Sequence, residues 1–266
     1  MQKNPLVTAI VDVVATLKRI SLVGMLGWQD VRQRYQRSAL GPFWLTISMG
    51  VMIGTIGIVF GQIFKSPVRE FLPFLAVGII VWGYISSMIN DACSGFIAAE
   101  GMLKQLPIPM FTHILRLVWR NILILGHNVV ILPLVFLAVG KPLSWMVLWV
   151  IPGLLLVTLN LTWLSLVVGV LSARYRDLPP IINSIIQVVF YLTPIIWMPS
   201  LLPGRSALYL LDLNPAYHLL EVVRAPLLGD MPSMMSWWVL SAMALLGCFL
   251  TLLFYGRYKR RIAYWL

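Results

Sequence analysis

Residues 145–171 read WMVLWVIPGLLLVTLNLTWLSLVVGVL, a run without one charged side chain. A bilayer core about 30 Å thick takes roughly 20 consecutive apolar residues in helical form, because lipid offers the backbone no partners and a helix satisfies its own amides. The stretch therefore predicts a membrane span. Five others share its character: Phe43 to Phe64, Phe71 to Ile89, Ile114 to Val139, Ile181 to Met198 and Met235 to Gly256. Of the 266 residues 60% are hydrophobic and 11% charged, where a soluble domain carries about 25% charged. A water-exposed enzyme or nucleic-acid binder does not fit, although the net charge is +11.

The expected fold class is an all-α integral membrane protein, one transmembrane domain over residues 1–266 with six spans. The third span is the most interrupted, by Arg116, Arg120, Asn121, His127 and Asn128. An even count puts both termini on one side. Lys and Arg are enriched on cytoplasmic flanks, and fifteen of the 20 fall on the side of the termini: six before the first span, three around the second-to-third connection, two between the fourth and fifth, and four in the tail. Both termini are thus expected in the cytoplasm. Helical spans and a basic cytoplasmic face suit an inner membrane, since outer-membrane proteins are usually β-barrels.

Leu6 to Leu17 has the length of a signal-peptide core, but Asp12 splits it and no small-x-small cleavage site follows, so the segment is expected to be retained. Over residues 24–38 Trp28, Val31 and Tyr35 recur at helical spacing while Arg32, Arg34 and Arg37 take other faces, which predicts a helix in the cytoplasmic interface or a solvated basic flank. Those arginines either attract an anionic lipid head group or simply set orientation. Glu100 to Pro109 reads as a short mixed helix stopped by two prolines, either a handle for a cytoplasmic partner or a solvated loop. Residues 199–234, between the last two spans, are too apolar for a solvated loop and predict short helices dipping into the outer face. There Asn214-Pro215 is a helix start, Gly229 a stop, and Glu221 and Arg224 lie on one face at i, i+3.

The sequence contains no GxxxxGK[ST] phosphate loop and no HExxH, GxSxG or GxGxxG motif. His113, His127 and His218 are scattered, and Cys93 and Cys248 have neither disulfide nor zinc spacing. The nine acidic residues all fall in flanks or connections of this topology, which disfavours a proton or sodium relay. Energy is then expected from a separate subunit, with no cofactor in this chain. Uncharged polar residues do occur in the spans, namely His127, Asn128, Thr158, Asn160, Thr162, Asn183, Gln187 and Thr193. They either bond between helices or line a path. Phe43, Trp44, Trp82, Tyr84, Tyr191 and Trp197 lie near span ends, as an interfacial belt or as stacking faces for sugars.

Four patches carry a family resemblance. They are residues 30–44 (DVRQRYQRSALGPFW), residues 100–109 (EGMLKQLPIP), Arg174-Tyr175-Arg176-Asp177-Leu178 running on to residues 191–197 (YLTPIIW), and Asn214-Pro215 followed by Glu221 to Arg224. In their order and spacing the chain resembles the permease subunit of type-2 ABC exporters, in the O-antigen and polysaccharide (Wzm-like) branch. The resemblance implies a homodimer paired with two copies of a cytoplasmic ATPase that holds the ATP and magnesium. It implies a channel-forming role in exporting an undecaprenyl-diphosphate-linked polysaccharide across the inner membrane to the periplasm.

By the same resemblance residues 24–38 are an interface helix, Glu100, Met102, Leu103, Lys104 and Gln105 a coupling helix seated on the ATPase, and Arg174, Arg176 and Asp177 a second contact. Arg32, Arg34 and Arg37, by their charge, are the candidates for holding the undecaprenyl diphosphate head group, with simple orientation as the alternative. Phe43, Trp44, Tyr191, Trp197, Asn214, Glu221 and Arg224 belong to the channel and its periplasmic gate. Alternatives are the same permease architecture for capsular polysaccharide, teichoic acid or a small lipophilic compound. A membrane-embedded glycosyl or acyl transferase would have to conscript Asp30, Asp91, Asp177 and His113, which no arrangement recommends, and a non-transporting scaffold is a further rival.

Overall fold

A computed structural model describes residues 4–36, 41, 43–201, 209 and 211–266. Among the described residues every regular element is a helix. In chain order these are α1 (Pro5–Leu17), α2 (Ile20–Tyr35), α3 (Phe43–Ile63), α4 (Val68–Ala98), α5 (Glu100–Gln105), α6 (Phe111–Val129), α7 (Ile131–Val139), α8 (Val150–Arg174), α9 (Leu178–Leu192), α10 (Pro215–Leu228) and α11 (Met234–Trp265). Five helical stretches are long and apolar enough to cross a membrane: α3, α4, α6 with α7 (Phe111–Val139), α8 with its preceding turn (Trp145–Arg174), and α11.

The remaining expected span, residues 181–198, takes a different form. Its helix α9 begins earlier, with prolines in the first turn, and stops at Leu192 after 15 residues, about 22 Å at 1.5 Å per residue. Pro194 causes the stop. A residue preceding proline is pushed out of the α region, and Thr193 is extended at φ −92°, ψ 136°. The second expected span also changes: α4 runs 31 residues, so Asp91 lies on the helix and not in a connection. The expected interface helix begins at Ile20 rather than Gly24, ends at Tyr35, and follows a separate helix, Pro5–Leu17.

α4 is the hub. Its apolar window is 72% buried, against 11% for α3, because α3, α6, α8, α9 and α10 all pack on it. Phe71, Leu75, Ile80 and Met88 of α4 meet Leu161 of α8 and Leu220 of α10 in one apolar core. Helix α10 is held as its sequence suggests. Asn214 accepts a 3.0 Å hydrogen bond from the Ala216 amide, Pro215 occupies the first turn, and Gly229 ends the helix at φ 96°, a left-handed conformation that favours glycine. His218 pins it further, with ring nitrogens 2.9 Å from the Ser236 hydroxyl and 2.8 Å from the Asp212 carbonyl.

Near the chain's start, α1 lies along the last turns of α11. Gly256 permits the approach: a Cβ there would sit 1.8 Å from the Pro5 carbonyl oxygen.

Candidate functional site

The short helix α5 follows α4 after a single bent residue, Ala99 at φ −94°, ψ 5°. It ends at Leu106, which is extended ahead of Pro107. Lys104 bonds Glu100 at 2.6 Å across one turn, the favourable order for such a pair. The Lys104 ammonium holds the Glu100 carboxyl below the usual carboxylate range, with a smaller pull from Arg176. The two segments expected to make separate contacts with the ATPase therefore lie within electrostatic reach of each other. Lys104, Gln105, Arg174, Arg176 and Asp177 are exposed, while Met102 and Leu103 are half-buried. Leu103 packs against an apolar cluster on which Trp265 and Leu266 also pack.

Behind α5 lies a charge cluster that the sequence patterning did not single out. Asp30 of α2 receives Arg116 of α6 through two donors, one of them Nε at 2.5 Å, and Arg120 approaches it at 3.7 Å. Arg120 also reaches Asp91 of α4 at 2.6 Å, and Asn121 donates to the same carboxylate at 2.8 Å. Three helices are thus tied by two carboxylates and two guanidinia, each side chain less than a quarter exposed. The clue in the sequence was Arg116, Arg120 and Asn121 at helical spacing. Spacing alone does not show that these side chains have carboxylate partners on α2 and α4.

Asp12 forms a second unanticipated centre. One of its oxygens accepts from the Tyr255 hydroxyl at 2.7 Å and the Phe111 amide at 2.9 Å, and the other meets Lys259 at 2.6 Å. It is 4% exposed, so a charge in an apolar run joins α1, α6 and α11.

At the opposite end the Glu221 and Arg224 pair forms as expected, with Arg224 donating to Glu221 Oε2 at 2.6 and 3.1 Å. Arg224 is 2% exposed, stacks 4.2 Å from the centre of the Phe74 ring and donates to the Pro194 carbonyl at 2.6 Å. Asn214 donates to the Thr193 hydroxyl at 3.0 Å. These polar residues on α10 therefore clamp the Thr193-Pro194 segment that ends α9. Trp197 donates to the Tyr191 carbonyl at 3.1 Å, which ties its ring to the end of α9. Phe43 and Trp44 are exposed at the start of α3, with the Phe43 ring edge-on to His127. Arg32 is exposed on α2, whereas the Arg34 side chain and Arg37 lie outside the described residues.

The outward faces of the helices fall into two classes. Between Val150 and Leu171 on α8, between Trp238 and Leu250 on α11, and throughout α6 and α7, every exposed residue is apolar. On α3, by contrast, Ser48, Thr55 and Gln62 are exposed at intervals of seven. Asn90 and Ser94 on α4 and Asn183, Gln187 and Tyr191 on α9 are exposed at intervals of four. Such spacings keep each set on one helical face. α3 and α9 each pack on α4.

The ABC-2 type transporter family model matches residues 21–228, most of the chain. The chain belongs to this family. The ABC-2 permease is 24% identical over 202 residues to the O-antigen export system permease protein RfbA of Myxococcus xanthus, covering 74% of this chain and 76% of the relative. It is 25% identical over 194 residues to a protein of the same name from Klebsiella pneumoniae, covering 70% and 72%. As an ABC-2 permease it is a multi-pass membrane transport subunit, which gives the division between apolar and polar outward faces a physical meaning. Hydroxyl and amide groups facing hydrocarbon lose their water without gaining partners.

Proposed function

We propose that this permease exports a lipid-linked O-antigen polysaccharide from the cytoplasmic to the periplasmic side of the inner membrane, driven by a separate ATPase. The observation that carries the reading is that α3, α4 and α9 each carry regularly spaced exposed amides and hydroxyls, whereas the outward residues of α6, α7, α8 and α11 within the apolar stretches are apolar. In a lone subunit those amides and hydroxyls meet lipid. In a homodimer facing across them they line a hydrated path, where hydroxyls and amides hydrogen-bond a glycan and the rings of Tyr191, Trp197, Phe43 and Trp44 offer stacking faces at its ends. The names of the relatives point to the same cargo.

In this reading α5, with Arg174, Arg176 and Asp177, seats on the ATPase. α9 completes the crossing as a sixth, short span, and α10 with Asn214, Glu221 and Arg224 closes the outer end. Closure of the ATPase pushes α5, which follows directly on α4, the hub whose exposed side belongs to the path. The Asp30, Arg116, Arg120 and Asp91 cluster transmits that push to α2 and α6. Only a difference in the ATPase's affinity for two permease states shifts their balance.

Deleting the gene in its native cell tests the reading. Loss of surface glycan, with full-length lipid-linked polymer accumulating inside and both restored by the wild-type copy, supports it. Unchanged surface glycan overturns it and assigns the architecture to another cargo.

A further inference from the structure

An open groove of about 650 Å³ runs between α8 and α11, bounded among others by Trp163, Val167, Ala242, Leu246, Leu250 and Phe254. Its lining extends along α11 from Val239 to Phe254, about 22 Å of helix, more than the ~15 Å depth of one leaflet. Both walls belong to membrane spans, and the lining is almost wholly apolar.

Phe254 also lines a second cavity, of about 120 Å³, with Arg174, Tyr175, Tyr258 and Trp265. The Arg174 guanidinium lies 5.0 Å from the Tyr175 ring centre and 5.3 Å from that of Trp265, and Arg261 lies 5.9 Å from that of Tyr258. No acidic side chain is among the described residues of this lining, and neither arginine is in an ion pair among the described residues. The apolar groove and the cationic aromatic cavity therefore meet at one residue, on the end of the bundle that carries the excess of Lys and Arg.

We infer that this composite site binds one anionic phospholipid of the cytoplasmic leaflet, with an acyl chain in the α8–α11 groove and the phosphate on Arg174 and Arg261. Chain and head group fit in that order only, because charge is confined to one end of the groove. An arginine stacked on an aromatic ring keeps its in-plane donors free for phosphate oxygens. The site lies beside α5: Leu103 of that helix packs in the same cluster as Trp265. A bound lipid consequently braces the C-terminal end of α11 against the contact surface. The inference rests on the membrane location of the helices and not on the cargo.

Native mass spectrometry of the purified full chain, mixed in turn with phosphatidylglycerol, phosphatidylcholine and undecaprenyl diphosphate, tests it. Phosphatidylglycerol is expected to remain bound as one tightly held copy per subunit, in preference to phosphatidylcholine. Arg174→Ala and Arg261→Ala should each weaken retention about fivefold. Ala242→Phe, which fills the groove and leaves both charges in place, should displace the lipid. Circular dichroism and the mass of the assembly establish that each variant is folded. Equal retention of the zwitterionic lipid, or unaltered retention in folded variants, overturns the inference. Preferential capture of undecaprenyl diphosphate also overturns it, because the site then belongs to substrate.

Discussion

Arg224 donates a 2.6 Å hydrogen bond to the carbonyl oxygen of Pro194, thirty residues away, and so joins the middle of α10 to the point where α9 breaks. The break frees that carbonyl, and the guanidinium takes it while binding Glu221 and lying over Phe74. A buried cation of this kind is held by geometry: each donor group faces a fixed acceptor.

Arg224→Ala removes the cation from a site 2% exposed and strands Glu221 and the Pro194 carbonyl. Breaking such a pair costs about 3–5 kcal/mol. The variant should show a markedly lower melting temperature in detergent and a loss of export. Arg224→Lys should recover only part of both, since one ammonium cannot replace a planar fork. A melting temperature within a degree of wild type for Arg224→Ala would show that the clamp carries no load.

The cluster around Arg116 makes a separate prediction. Its members are partly exposed, so Asp30→Asn should cost about 2 kcal/mol, between the values for surface and buried pairs. A cysteine pair placed across α2 and α6 should then cross-link more slowly in Asp30→Asn than in wild type. Asp91→Asn should slow a pair across α4 and α6 more than the first pair, because Asn121 and Arg120 are the partners of Asp91 while Arg116, the nearer partner of Asp30, is untouched.

Much of this molecule can be read from residue order, and the failures share a cause. The apolar runs, the bounds of α10 set by Asn214 and Gly229, and the Glu221 and Arg224 pair are local features, fixed by neighbours within a turn or two. Asp12 and Tyr255 are 243 positions apart, and Asp30 and Arg116 are 86 apart. Only packing shows that a charge in an apolar run has a partner there. Thr193-Pro194 marked the end of α9, but hydropathy alone carried the expected span on to Met198. Exposure is likewise a property of the assembled bundle, so the polar residues of α3, α4 and α9 were indistinguishable beforehand from Thr158, which bonds Tyr84 at 3.0 Å inside the core.

Gly256→Leu should pry α1 from α11, because even a Cβ has no space beside the Pro5 carbonyl. Protease sensitivity near residues 17–20 should rise while α3 to α10 remain intact, and the loss should amount to about 1–3 kcal/mol, the usual cost of overpacking. Asp12→Asn should act in the same direction, since Lys259 then loses its counter-charge. Unaltered proteolysis in both would show that α1 is not anchored by this contact.

The central claim is that the polar outward faces of α3, α4 and α9 line the path. Its most direct measurement is reaction with a membrane-impermeant thiol reagent, in a background with Cys93 and Cys248 replaced, of single cysteines at Thr55, Asn90 and Gln187 compared with cysteines at Leu155 and Leu246. The account predicts labelling at the first three, slowed by bound lipid-linked glycan, and none at the two apolar positions. Equal labelling of both sets, or protection of Thr55, Asn90 and Gln187 irrespective of substrate, would contradict it.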